Sequence, residues 1–178
     1  MIKVIAFDLV GVLVKEKDVY LTDMEDELER LFGPNKSDEE YLTIAKSITD
    51  NENIVDITKG IINKLYEVRE EGLIEKLKYR YRVKDIIIAT NHVSYVKEYI
   101  NNNFVVDDVI ISADIHKIKP NSDFYEYILN KYDLKPEELL FIDDNMDNVV
   151  GAKKLGIKTI KVNKDTNIYE KIEGELKA

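Results

Sequence analysis

Apolar positions along this chain change their spacing from one segment to the next, and the changes predict its elements. Val4-Ile5-Ala6-Phe7 is a short continuous apolar run that stops at Asp8, with Gly11 three residues on. Such a run, closed by a carboxylate and a glycine, predicts a buried strand that ends at a site. From about residue 15 to 72 the spacing is helical. Thr22 and Glu25 form a capping box ahead of Met24, Leu28 and Leu31, and Gly33-Pro34 ends that helix. Ser37 and Glu40 predict a second capping box, followed by Tyr41, Ile44, Ala45 and Ile48 on one face. Ile54, Ile57, Ile61, Leu65 and Val68 make a third stripe, interrupted by Gly60, and Gly72 reads as a break. Residues 15–72 are therefore expected to be helical throughout, with no strand.

From Leu73 onward, helix and strand alternate. Leu73, Ile74, Leu77 and Tyr81 suggest a short helix. The runs Ile86–Ala89, Val109–Ile111, Leu139–Ile142 and Thr159–Val162 predict strands, with helices between them and a last amphipathic helix over 166–176. Short apolar strands alternating with helices predict an α/β fold with a parallel sheet covered on both faces. The boundaries fall near 14 and 72: a core of residues 1–14 and 73–178, and a small helical insert of residues 15–72.

Composition narrows the function. Hydrophobic residues make up 44% of the 178 residues, enough for a sizeable core. With 26 basic and 35 acidic residues the net charge is 26 − 35 = −9, and the acids are scattered. That argues against nucleic acid as a partner, which would require a basic stripe. The chain has no Cys, which excludes disulfides, a thiol nucleophile and Cys-ligated metal. There is no signal-peptide pattern, and no stretch approaches the roughly 18–20 apolar residues of a membrane span. The expectation is a cytoplasmic protein without membrane association, a monomer or small homo-oligomer.

The candidate chemistry sits where strands end. Asp8, Thr90 and the pair Asp143-Asp144 each close an apolar run, and Lys119 precedes Pro120 in a loop before a helix. In a parallel sheet these ends share one edge, where open α/β sheets bind ligands. Three carboxylates together repel unless something neutralises them. Mg²⁺ suits one or two carboxylates plus a phosphate. Lys119 would add positive charge for that phosphate and Thr90 a hydroxyl donor, while a carboxylate can itself be the nucleophile.

These stretches resemble the haloacid dehalogenase superfamily. FDLVGVL resembles its first motif, IIIATNH its second, KIKP its third, and LLFIDDNMDNVVGAKKLGIKTI its fourth. The resemblance covers the chain except the insert, which lies where one branch carries a helical cap. That branch includes α-D-glucose-1-phosphate phosphatases and the phosphatase domain of soluble epoxide hydrolase. The resemblance implies a Rossmann-like core and a Mg²⁺-dependent phosphohydrolase acting on a small phosphorylated metabolite. It implies that Asp8 is the nucleophile and a metal ligand, that the Val10 carbonyl and Asp144 are further ligands, and that Asp143 lies close by. Asn148 would orient the acidic pair. Thr90, Lys119 and the backbone around Leu9, Val10 and Asn91 would hold the phosphate.

One position departs from the family pattern. Most phosphatases of this superfamily carry a general acid/base Asp two residues after the nucleophile, and Val10 stands there. Such assistance is typically worth about 10²–10⁴ in rate. Its loss favours substrates with good leaving groups, such as anomeric sugar, acyl or aryl phosphates. Two alternatives follow: a weakly active or non-catalytic phosphate- or partner-binding protein, and a haloacid dehalogenase, whose metal-free chemistry leaves Asp143-Asp144 unexplained. Lys15 and Glu16, just past the first motif, are the candidate substrate readers, and His92 is a candidate substrate contact.

Overall fold

The computed structural model describes residues 1–33, 37–81 and 83–177. Pro34, half of the expected stop after the first helix, lies outside the described residues. In chain order the elements are β1 (Val4–Phe7), β2 (Val14–Glu16), α1 (Asp23–Glu29), α2 (Asp38–Ile48), α3 (Ile54–Leu65) and β3 (Tyr66–Val68). Then come α4 (Leu73–Arg80), β4 (Asp85–Thr90), α5 (Val96–Asn103), β5 (Asp108–Ile111), α6 (Ser112–Ile115) and α7 (Ser122–Tyr132). A 3-10 turn at Pro136–Glu138 leads to β6 (Leu139–Asp143), α8 (Met146–Lys154), β7 (Lys158–Lys161) and α9 (Ile168–Lys177).

The sheet is five-stranded, in the order β5-β4-β1-β6-β7, and every pair is parallel. Alternate side chains divide the core between its two faces. Ile5, Phe7, Ile86, Ile88, Leu140 and Ile142 share one cluster with residues of α4, α5, α9 and the insert. Val4, Ala6, Ile87, Ala89, Leu139 and Phe141 share the other with Phe124, Tyr125 and Ile128 of α7 and Ala152 of α8. A doubly covered parallel sheet flanked by helices is the Rossmann-like arrangement.

β1 lies centrally between β4 and β6. The chain builds β4 and β5 on one side of it, then crosses back to build β6 and β7 on the other. The order therefore reverses beside β1, and the crevice at that reversal is where ligands bind in such sheets. Asp8 follows β1 directly, and its N–H bonds the Ile142 carbonyl at 2.8 Å, which fixes its height beside Asp143.

The insert is not wholly helical. β2 and β3 pair antiparallel at its base, Val14 opposite Val68 and Glu16 opposite Tyr66. The expectation of no strand between 15 and 72 fails because each strand has only three residues and shows no alternation to read. α3 also runs unbroken through Gly60, where an added Cβ would meet nothing within 4 Å. Gly72 does break the chain, at φ +74, ahead of α4. Thr22 and Glu25 form the reciprocal capping box of α1, and Ser37 caps α2 by accepting from the Glu40 N–H at 3.1 Å.

Candidate active site

Three strand ends and one loop build the site. Lys119, 3% exposed, lies in the loop before α7. Its Nζ lies 2.9 Å from Asp8 Oδ1 and 2.8 Å from Asp143 Oδ2, and it donates to the Ala89 carbonyl at 3.0 Å. One ammonium thus bonds the ends of β1, β4 and β6. Burial opposes its charge, but Asp8 and Asp143 outweigh that and hold its pKa above the ordinary lysine value.

The acids divide by exposure. Asp143 is fully buried, and its carboxylate is bound on every side. Besides Lys119, it accepts from the Asn145 N–H at 2.7 Å and from Asn148 Nδ2 at 3.2 and 3.1 Å. Asn148 is fixed by its place on α8, where its carbonyl also accepts from the Tyr125 hydroxyl at 2.8 Å. Asp8 is buried, which pushes its carboxyl up to about 6; Asp143 adds to the rise and Lys119 opposes it. Asp144, half-buried, is raised first by burial and then by Asp143, while Lys161 and Lys119 hold it down.

Carboxylate oxygens of Asp8, Asp143 and Asp144 all lie within 4.8 Å of one another. That separation, and the upward push on Asp8 and Asp144, fit a hard cation held by oxygen. Gly11 makes the approach feasible. It has φ +82, and a Cβ there would stand 2.2 Å from Asp144 Oδ2. Leu9 stabilises this turn by accepting from the N–H groups of Leu13 and Val14, both at 2.9 Å. Val10, half-buried, packs against the core cluster beside the insert.

Thr90 closes β4 and is 2% exposed. Asn91 does more than its backbone suggests. Its Nδ2 donates to the Lys119 carbonyl and its Oδ1 accepts from the Lys119 N–H, each at 2.9 Å. This pair of bonds ties the end of β4 to the lysine loop. Nothing local in the sequence signals it, since the partners are 28 residues apart.

His92 faces the insert. Its Nδ1–H donates to the Val93 carbonyl at 3.1 Å, so Nε2 accepts from the Tyr66 hydroxyl at 2.8 Å. Phe32 lies 5.2 Å from it, ring centroid to centroid. Both ring nitrogens are occupied, and the expectation of a substrate contact at His92 gives way to a docking role. Arg69, just beyond β3, was not foreseen either. It donates to the carbonyls of Gly11 at 2.9 Å, Thr166 at 3.2 Å and Asn163. It thereby ties the turn after β1 to the loop after β7.

The sheet order, the acids at its reversal and the bridging lysine define a hydrolase core of one family. The haloacid dehalogenase-like hydrolase family matches residues 5–162, and the chain belongs to it. Pyrophosphatase PpaX of Bacillus mycoides is 22% identical over 179 aligned residues, covering 90% of this chain and 83% of that protein. Mouse bifunctional epoxide hydrolase 2 is 31% identical over 67 residues, 38% of this chain but only 12% of the relative's length. Among solved structures, a predicted HAD-like family hydrolase from Porphyromonas gingivalis superposes with a TM-score of 0.77 at 23% identity, covering 100% of this chain and 99% of that one. The HAD family enzyme bt-2542 of Bacteroides thetaiotaomicron, in complex with magnesium and inorganic phosphate, has a TM-score of 0.70 at 16% identity over 96% and 98% of the two chains. No helix among the described residues is long and apolar enough to cross a membrane.

Proposed function

We propose that this protein is a Mg²⁺-dependent phosphohydrolase that acts on a small phosphorylated metabolite through an aspartyl-phosphate on Asp8. The observation that carries the reading is the buried Lys119 ammonium between Asp8 and Asp143, 2.9 and 2.8 Å away, with Asp144 beside them. In this reading residues 1–14 and 73–178 are the catalytic core and residues 15–72 the cap. Asp8, Asp144 and the Val10 carbonyl would hold Mg²⁺, whose charge offsets that of the phosphoryl oxygens. Both the pyrophosphatase relative and the magnesium–phosphate complex of the Bacteroides enzyme support this assignment.

The chemistry then follows from the residues. A carboxylate oxygen of Asp8 attacks phosphorus, and the bond from phosphorus to the leaving oxygen breaks. That oxygen departs with the electron pair and takes a proton from water. A water molecule next attacks the phosphorus of the aspartyl-phosphate and gives a proton to the hydroxide left by the first step, the bond to Asp8 breaks with its electron pair returning to the carboxylate, and inorganic phosphate leaves. Thr90, Lys119 and backbone N–H groups of residues 9, 10 and 91 hold the transferring group. Asp143 keeps Lys119 in place, and Asn148 orients Asp143. Val10 has no proton to give, so the site favours leaving groups that depart well as anions.

The test is phosphate release from an aryl phosphate, an acyl phosphate and α-glucose 1-phosphate, with Mg²⁺ and with chelator. The expected result is Mg²⁺-dependent release, fastest from the best leaving group, and its loss in a folded Asp8→Asn variant. Release that persists in that variant would remove Asp8 as the nucleophile. Mg²⁺ binding without any release would favour the phosphate- or partner-binding alternative and make Val10 the residue to explain.

A further inference from the structure

The insert is fastened to the core beside the site: Tyr66 bonds His92, Asp38 accepts from the Ser94 N–H at 2.8 Å, and Lys59 pairs with Glu98 at 2.6 Å. A cleft of about 800 Å³ starts at Gly11 and Asp144 and runs outward over residues 161–167. Its described lining includes nothing from residues 17–68.

The charge of that cleft runs against the charge of the chain. In a protein of net charge −9, Lys15, Arg69, Lys161 and Lys164 all line it. Its acids are Glu70, Asp165 and Asp144, and Asp144 is already committed to the metal in the proposed function. Among the described residues, Arg69 donates to the neutral carbonyls of Gly11, Asn163 and Thr166 and to no carboxylate. Lys161 stands close enough to lower the Asp144 carboxyl while its Nζ donates to the Val162 carbonyl. Lys15 pairs with Glu67 at 3.2 Å, but both side chains are more than half exposed, and such pairs exchange partners at little cost.

We propose that this cleft receives the leaving group, and that the leaving group carries a second anion, a carboxylate or a second phosphoryl group, held by Lys161 and Lys164. The inference rests on the proposed function, which places the transferred phosphoryl group between Asp8 and Lys119. From there the cleft that begins at Gly11 and Asp144 gives the leaving group a path past Asp144. A neutral sugar or alcohol would bring no negative charge to Lys164 or to Lys161, whose Nζ donates to the neutral Val162 carbonyl. An anion would make charge-assisted bonds with them, worth more than neutral ones.

Three phosphonates test this on the full chain with Mg²⁺, by calorimetry. Methylphosphonate carries one anionic centre, phosphonoacetate adds a carboxylate, and methylenediphosphonate adds a second phosphoryl group. Either or both of the latter are expected to bind at least about tenfold more tightly than methylphosphonate, as one charged hydrogen bond supplies. The gain should shrink with added salt and fall towards unity in the Lys161→Gln/Lys164→Gln variant. A gain with one of the two alone identifies the second anion, and a gain with both shows that the cleft takes either. Equal binding of all three, in a protein that hydrolyses the aryl phosphate, would overturn the inference and leave the phosphohydrolase standing. A protein that neither binds a phosphonate nor hydrolyses an aryl phosphate would fail the proposed function itself, and the inference with it.

Discussion

Gly11 and Val10 stand side by side and set two different limits on this site. At Gly11 the limit is space. A methyl group there would lie 2.2 Å from Asp144 Oδ2, and φ +82 adds about 1–2 kcal/mol of strain for any L side chain. Gly11→Ala should therefore fold but displace Asp144, weaken Mg²⁺ and cut phosphate release on the order of 10²-fold. Unchanged Mg²⁺ titration curves in that variant would separate Asp144 from the metal. At Val10 the limit is proton supply. Val10→Asp should raise the rate on alkyl phosphates by up to about 10²-fold, and on aryl phosphates much less, because only the poorer leaving group needs the proton. An equal gain on both would show that the missing acid does not limit turnover.

At the scale of elements, what could be read from the sequence was what sits at the end of a continuous apolar run. Asp8, Thr90 and Asp143-Asp144 announce themselves in this way, and the structure brings the three acids together, with Lys119 between Asp8 and Asp143. What could not be read depends on partners far apart in the chain. Arg69 reaches a carbonyl 58 residues away, and Tyr66 meets His92 across 26 residues. The β2–β3 ribbon was missed because Val14-Lys15-Glu16 and Tyr66-Glu67-Val68 are too short for a period to show. That ribbon places Tyr66 against His92, and the contact carries a pH signature. Burial lowers the His92 pKa from 6.5 to about 4. A depressed folded-state pKa means that the unfolded chain takes up the proton first as pH falls. The stability that neutral His92 contributes is present above pH 6.5 and is lost as pH falls towards 4, up to about 3 kcal/mol. Urea melts of the wild type and of His92→Gln should accordingly converge as the pH falls from about 7 to about 4. Parallel profiles would remove His92 as the group that makes this docking sensitive to pH.

Across the whole molecule, the same acids that serve the chemistry burden the fold. Asp8, Asp143 and Asp144 converge at the reversal of the sheet, in a chain with an excess of nine negative charges. Lys119 offsets part of this, because its one charge bridges Asp8 and Asp143, yet both Asp8 and Asp144 remain raised. A divalent cation bound there would relieve the remaining repulsion. It would also join the end of β1 to the end of β6, which unfolding separates, so the native state alone would offer the site. Mg²⁺ should then stabilise the protein by about 2.7 kcal/mol at a hundred times its dissociation constant. For a domain of this size that is a rise in Tm of roughly 5–10 °C. Chelator should reverse the rise, equal ionic strength from a monovalent salt should not reproduce it, and Asp144→Asn should lose most of it. A rise that Asp144→Asn retains in full would place the cation away from these carboxylates and leave their charge to Lys119 and Lys161.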